Sequence, residues 1–172
     1  MKILVLGGSR SGKSAHAERL LADRTDVTYL ATSAPPGQDA EWTARVALHR
    51  ARRPASWTTV ETTDPGDLVR DGAVLVDSVT TWVAALLDES GVWAATPGAV
   101  ERLDARCDAL LEAWTSTPAH VVAVSDEVGL GVVPETRSGR LFRDVLGSVN
   151  QRLAGTADEV WFVVARLPQR LR

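Results

Sequence analysis

This chain of 172 residues lacks the sequence features of proteins that depend on disulfides, on metal sites built from cysteines or on membrane-spanning helices. Its one cysteine, Cys107, has no partner for an internal disulfide and excludes a metal site built from several cysteines. No apolar run approaches the roughly 18 residues that a transmembrane helix needs. The N-terminus opens directly on a strand-like segment, without the pattern of a signal peptide. We therefore expect a cytoplasmic protein with no membrane partner.

An excess of positive charge is also absent. The chain has 19 basic and 22 acidic residues, which gives a net charge of −3. Proteins that depend on nucleic-acid binding usually carry a strong positive field, so we expect no nucleic-acid partner. Anionic small molecules remain compatible with this composition, because they need only local positive charge.

Short apolar runs alternate with segments of helical period along the whole sequence. Five runs are almost continuously apolar, as in parallel strands that are covered on both faces. They are Ile3–Leu6, Val27–Leu30, Ala73–Val76, Val121–Val124 and Val160–Val164. Trp57–Val60 is more polar and is typical of an edge strand.

Two apolar stripes at helical spacing lie between these runs. One consists of Val100, Leu103, Cys107, Leu110, Leu111 and Trp114, and the other of Leu141, Val145, Val149 and Leu153. Ser33–Asp39 and Ser90–Gly98 are rich in small residues, Pro or Gly and are interpreted as loops. Alternating strand and helix signals predict an α/β fold, a mainly parallel sheet flanked by helices, as one domain over residues 1–172.

The segment Gly7–Ser14 matches the phosphate-loop pattern G-x-x-x-x-G-K-S/T. It follows a buried strand and precedes a good helix former, which is where such a loop must lie. Its glycines let backbone amides turn toward phosphates, Lys13 can neutralise β- and γ-phosphate oxygens, and the Ser14 hydroxyl can bind Mg²⁺. A glycine-rich turn without function is the alternative, but this position favours a P-loop site for a nucleoside triphosphate.

An acid at the end of another apolar strand would complete such a site. Asp77 follows the run Ala73–Val76 and supplies it. Taken alone, Asp77 could equally be a helix cap or a turn residue. Combined with the phosphate loop, it is favoured as a ligand of the metal or of the ribose.

The three histidines differ in their surroundings. His16 and His120 are interpreted as packing or surface residues. His49 lies among Arg45, Arg50, Arg52 and Arg53, whose guanidinium groups match phosphate oxygens. A neutral imidazole there could attack an α-phosphorus. From this segment alone, a solvated basic helix face with an incidental histidine remains the favoured interpretation.

These residues together resemble one enzyme family from end to end. The resemblance lies in Gly7–Ser14 with Ala17-Glu18, Tyr29–Ser33, the block His49-Arg50…Arg53-Pro54…Trp57…Glu61, Val76–Trp82, Val124–Glu135, Arg140–Asp144, Gly147…Asn150-Gln151 and Ala157–Val160. Phosphate loops are widespread, whereas the spacing of the His49 block and the segment Glu127–Glu135 are much more specific. The chain is thereby similar to bifunctional adenosylcobinamide kinase / adenosylcobinamide-phosphate guanylyltransferases of cobalamin biosynthesis.

The resemblance implies two reactions. ATP or GTP would phosphorylate adenosylcobinamide, and GTP would then donate GMP to adenosylcobinamide phosphate through a guanylylated histidine, which here is His49. It implies His49 as a catalytic residue and a homo-oligomer, a trimer. The residues themselves make Lys13 the second catalytic candidate and Ser14 and Asp77 the candidate ligands of Mg²⁺, while Glu61 and Asp77 could instead read ribose or guanine donors. The implied nucleotide contacts are Gly7, Gly8, Ser9, Arg10, Ser11, Gly12, Lys13, Ser14, Thr32, Ser33, Ala34, Arg50, Ala51, Arg52, Arg53, Glu61 and Asp77.

Two positions depart from the family pattern. Asp126 stands where the family often has asparagine, and Arg166 stands where it usually has glycine. If the family's glycine at this position adopts a positive φ, Arg166 in its place strains the turn. Among the tryptophans, Trp82 and Trp93 are the candidates for a corrinoid contact or a subunit interface, and the others are expected to pack in the core or at an interface.

Two alternatives to the bifunctional enzyme stay open at the level of sequence. One is a monofunctional guanylyltransferase or P-loop kinase. The other is a non-catalytic regulatory module that binds GTP. The absence of a guanine signature such as N-K-x-D weighs against the regulatory module.

Overall fold

The computed structural model describes residues 1–33, 47 and 53–172. These residues form seven strands and four α-helices. The strands are β1 Lys2–Gly7, β2 Val27–Ala31, β3 Thr58–Glu61, β4 Ala73–Asp77, β5 His120–Asp126, β6 Glu159–Val164 and β7 Leu167–Arg170. The helices are α1 Lys13–Leu20, α2 Val79–Ser90, α3 Ala99–Ser116 and α4 Arg137–Thr156, with short 3-10 turns at Pro65–Leu68 and Val92–Ala94.

The strands form one sheet in the order β3-β2-β4-β5-β1-β6-β7. All neighbours are parallel except β6 and β7, which form an antiparallel hairpin. This confirms the predicted α/β fold with a mainly parallel sheet. Because the carboxyl ends of parallel strands meet at one edge, the loops after β1, β2, β4 and β5 gather there.

Two hydrophobic clusters cover the two faces of the sheet. The larger joins the sheet to α2, α3 and α4 and contains Trp82 and Trp114. The smaller joins it to α1 and contains Tyr29 and Trp57. Burial on both faces explains why the strands are continuously apolar in sequence.

The predicted strands are confirmed, each within one or two residues of its bounds. The polar candidate Trp57–Val60 is the edge strand β3. The antiparallel strand β7 was not predicted, since its four residues are exposed and have no apolar alternation. Val100 was placed on the buried stripe of α3, but it is 57% exposed in the first turn of that helix.

One tryptophan prediction is wrong. Trp82 is completely buried, and its indole nitrogen donates to the Thr63 carbonyl at 2.9 Å. It therefore packs in the core and has no surface for a corrinoid. Trp93 is 39% exposed and remains a candidate. Trp42 lies outside the described residues.

Within the ranges given above, none of the helices is both long and apolar enough to pass through a bilayer.

We predict that Trp82→Ala lowers the free energy of unfolding by about 3–5 kcal/mol, since it opens a cavity beside α2. Trp93→Ala should cost about 1 kcal/mol or less, because that ring is already partly in solvent. Urea unfolding monitored by circular dichroism measures both values. Equal losses for the two variants would contradict the assignment of Trp82 to the core.

Candidate nucleotide site

The loop between β1 and α1 has the backbone geometry of a phosphate cradle. Gly12 caps α1 with a φ of +94°, and the Ser11 amide donates to the Gly8 carbonyl at 3.2 Å. A Cβ on Gly7 would lie 2.5 Å from Ser11 Oγ and 2.6 Å from the Val163 carbonyl oxygen, so only glycine fits there. The loop thus wraps around the N-terminus of α1, where unpaired amides favour an anion.

Lys13 lies at the start of α1 and reaches back across this loop. Its ammonium group donates to the Gly8 carbonyl at 3.2 Å and forms an ion pair with Asp126 Oδ1 at 2.5 Å. The Lys13 side chain is only 12% exposed and that of Asp126 26%. A polyphosphate that binds Lys13 therefore competes with a partly buried carboxylate.

Asp126 is itself held in place at the end of β5. Its amide donates to the Thr80 hydroxyl at 2.8 Å, and its carbonyl accepts from Asn150 Nδ2 at 3.0 Å. Asn150 is buried, and its side-chain oxygen Oδ1 accepts a hydrogen bond from the Ser125 hydroxyl. These contacts tie the carboxylate to both α2 and α4.

The Ser14 hydroxyl faces the second carboxylate of the site. Ser14 Oγ is 3.4 Å from Asp77 Oδ1 at the end of β4. The other oxygen, Asp77 Oδ2, accepts from the Tyr29 hydroxyl at 2.8 Å. Burial, and then the charge of Asp77, raise the pKa of Tyr29 far above its ordinary value, so the phenol stays protonated and donates. Asp77 is thus oriented with one oxygen toward Ser14.

Arg53, which follows His49 by four positions in sequence, packs on the tyrosine that holds this carboxylate. The guanidinium carbon of Arg53 lies 3.5 Å from the ring centroid of Tyr29. The Nη1 group of Arg53 donates to the Thr59 hydroxyl at 2.9 Å. Sequence reasoning did not select Tyr29 as a functional residue. The signal was a tyrosine in a short, mostly apolar strand that neighbours β4.

Two other predicted contact residues lie at the same edge of the sheet. Glu61 ends β3 and is exposed, and Ser33 follows β2. Thr32 is completely buried, and its hydroxyl donates to the Ser78 carbonyl at 2.5 Å and shares a hydrogen bond with Thr81. The Thr32 hydroxyl thus serves the fold by joining this turn to the start of α2, and the predicted nucleotide contacts of Thr32 and Ser33 stay predictions.

The two histidines that the structure describes serve packing. His16 is 7% exposed, and its ring meets Trp161 edge to face with centroids 5.0 Å apart. Burial lowers the pKa of His16 and that of His120 and so favours their neutral forms. The remaining predicted residues, Ala34, Arg45, His49, Arg50, Ala51 and Arg52, lie outside the described residues.

Two arginines near the cradle have left-handed backbone. Arg10, within the phosphate loop, has a φ of +57°, and Arg166, in the turn between β6 and β7, has a φ of +67°. The positive φ at Arg166 confirms that this turn requires the conformation that glycine adopts most easily.

A phosphate loop on β1 and an acid on β4, with β5 between them, define a P-loop nucleotide-binding protein. The fold agrees with a solved structure of an ATPase from the type III secretion system of pathogenic bacteria. The TM-score is 0.56 at 14% identity, over 94% of this chain and 50% of the ATPase chain. The chain thus spans half the length of that ATPase, and the likeness concerns the fold alone.

Within this class the family is specific. Residues 3–171 match the family model described as cobinamide kinase / cobinamide phosphate guanyltransferase, and the chain belongs to this family of transferases. The bifunctional adenosylcobalamin biosynthesis protein CobU of Salmonella typhimurium is 44% identical, and that of Escherichia coli 42%, each over the full length of both chains. The corresponding CobP of Pseudomonas aeruginosa is 39% identical over all of this chain and 98% of its own.

We predict that Asp126→Asn strengthens GTP binding about 2- to 10-fold, since it removes a negative charge that competes for Lys13 but keeps the shape of the side chain. Isothermal titration calorimetry with a non-hydrolysable GTP analogue measures the change. Asp108→Asn is the matched control, because it breaks the exposed ion pair between Asp108 and Arg152 on the helices. Unchanged or weaker binding by Asp126→Asn would contradict the competition.

Proposed function

We propose that this protein catalyses both reactions of its family on one phosphate-loop site: phosphorylation of adenosylcobinamide, then transfer of GMP to the resulting phosphate through His49. The observation that carries the proposal is the pairing of Lys13 and Ser14 with two carboxylates on adjacent strands, Asp126 and Asp77. The family match over residues 3–171 supports the choice of reactions.

In the kinase reaction the chain holds the triphosphate and orients it. The glycine-rich loop and the first turn of α1 offer backbone amides to the phosphates, and the Lys13 ammonium neutralises charge on the β- and γ-phosphates. The hydroxyl oxygen on the aminopropanol arm of adenosylcobinamide bonds to the γ-phosphorus of ATP or GTP, the bond from that phosphorus to the β-phosphate oxygen breaks, and ADP or GDP leaves while the hydroxyl proton is released to solvent. Phosphoryl transfer needs little covalent help, so positioning and charge account for most of the rate.

The donor set suits Mg²⁺ bound to a nucleotide. Ser14 and Asp77 offer one hydroxyl and one carboxylate, and the described residues contain no group of three His, Cys, Asp or Glu side chains that could hold a metal. Mg²⁺ commonly takes one or two protein ligands and completes its shell with phosphate oxygens and water. When bound, it would neutralise charge on the phosphates that Lys13 also contacts.

In the guanylyltransferase reaction His49 acts as the nucleophile. A neutral imidazole nitrogen attacks the α-phosphorus of GTP, the nitrogen–phosphorus bond forms, and the bond to the β-phosphate oxygen breaks with release of pyrophosphate. A phosphate oxygen of adenosylcobinamide phosphate then attacks the same phosphorus and releases the imidazole. Adenosylcobinamide-GDP is the product.

The position of Arg53 supports this role for His49. Arg53 stacks on Tyr29, whose hydroxyl donates to Asp77. Three residues lie between His49 and Arg53, so the four Cα-to-Cα steps limit the distance between their Cα atoms to about 14 Å. That limit is compatible with an imidazole that approaches a nucleotide held at Asp77 and Ser14.

The remaining partners follow from the same proposal. Small molecules are expected, namely adenosylcobinamide, its phosphate, GTP and ATP, with no nucleic acid or membrane. We also propose a homo-oligomer, a trimer, by family resemblance. A cytoplasmic location fits because both reactions consume nucleoside triphosphates.

We predict that Lys13→Ala lowers transfer of the γ-label from ATP or GTP to cobinamide at least about 100-fold, because it removes the cation at the developing charge. A thin-layer assay with γ-labelled nucleotide measures this. Lys2 is the only other lysine of the chain and contacts the Thr117 carbonyl, so Lys2→Ala is the matched control. Robust turnover by Lys13→Ala would contradict the phosphate-loop assignment.

We predict that incubation with α-labelled GTP and Mg²⁺ leaves a label on the protein that is acid-labile and base-stable, as a phosphoramidate should be. His49→Ala should lose the label but keep part of the γ-transfer activity. His120→Ala serves as the control, since His120 opens β5 away from the phosphate loop. An unlabelled wild-type protein would defeat the guanylyltransferase proposal.

A further inference from the structure

The turn between β6 and β7 stands directly beside the phosphate loop. β6 pairs with β1 in parallel, with Val163 opposite Gly7, so both strands end at the same edge of the sheet. The chain then turns through Ala165 and Arg166, and the Arg166 amide donates to the Ser11 carbonyl at 2.7 Å. This hydrogen bond fixes the turn to the loop that would hold the phosphates.

Arg166 packs against the backbone of Gly12 at the start of α1. A Cβ on Gly12 would lie 2.9 Å from Arg166 Cγ and 3.2 Å from Arg166 Cα. Arg166 is nevertheless exposed. Its side-chain nitrogens make no hydrogen bond or ion pair with any residue in the described ranges, although its stem lies on the cradle.

An arginine at this position is unfavourable for the turn itself. Its φ of +67° lies in the left-handed region, which side chains other than glycine adopt at an energetic cost. Glycine, which the resembling family usually has here, would meet no such cost. Since the guanidinium also has no partner among the described side chains, the fold gains nothing evident from it. This combination points to a ligand.

The position of the charged groups indicates which part of a nucleotide would lie beside Arg166. Lys13 with Asp126, and Ser14 with Asp77, lie on the side of β1 that faces β5 and β4. These groups suit the β- and γ-phosphates and their metal. The nucleoside must then leave the cradle toward the opposite side, where β6 and its turn lie.

We infer that the Arg166 guanidinium contacts the purine base of the nucleotide in the phosphate loop by stacking on its face. A planar guanidinium stacks well on aromatic rings and tolerates different bases. The inference rests on the proposed nucleotide site and adds to it a residue for the base. It concerns affinity for the nucleoside end and assigns Arg166 no part in the bond-making steps.

Arg166→Gly should separate stability from binding. Because glycine relieves the strained turn, the variant should unfold at a temperature equal to or above that of the wild type. Its dissociation constant for GTP should rise about 3- to 10-fold, since one cation–ring contact is lost. Tripolyphosphate, which has no base, should bind both proteins within about twofold. Calorimetry with each ligand and a thermal melt provide these values.

Ala165→Gly is the matched control, because Ala165 shares the turn with a φ of +49° but carries no charge. It should leave GTP binding unchanged. Unchanged GTP binding by Arg166→Gly would overturn the inference alone. An equal loss for tripolyphosphate and GTP would overturn it too, because the guanidinium would then act on phosphate. A wild-type protein that binds no GTP would overturn the proposed function and this inference together.

Discussion

The parallel alignment of β1, β5 and β4 is the constraint on which the arrangement of the site depends, and it allows an ion pair between Lys13 and Asp126. The ion pair joins the first residue of α1 to the end of β5 and draws the lysine across its own loop. A parallel sheet makes this pairing available, because β1, β5 and β4 end at one edge with their loops and carboxylates side by side. The same alignment sets Ser14 opposite Asp77.

A layer of hydrogen bonds behind these residues keeps them in position. Thr32 joins the end of β2 to the first turn of α2. Tyr29 supports Asp77 from the neighbouring strand β2, and Arg53 stacks on Tyr29. Such supporting contacts restrict the rotamers of the groups that would meet the substrate. The chain thus prepares its charges before a nucleotide arrives, which lowers the cost of ordering them on binding.

Much of the fold and the phosphate loop could be predicted from sequence, because both depend on local patterns. Continuous apolar runs identified β1, β2, β4, β5 and β6, and glycine spacing identified the cradle. Strand β7 could not be predicted, since it depends on pairing with β6 and not on its own apolar residues. The contact of Tyr29 with Asp77 and the burial of Thr32 could not be predicted either, because contacts between segments far apart in the chain have no signature in a single sequence.

We propose that one phosphate loop serves both the kinase and the guanylyltransferase reaction. The most direct test is the intact mass of Lys13→Ala and wild-type protein after incubation with GTP and Mg²⁺. We expect a GMP adduct on the wild type and little or none on the variant within the same time, since the lysine would orient the triphosphate for both displacements. An adduct that forms on Lys13→Ala at the wild-type rate would contradict the claim and indicate two separate nucleotide sites.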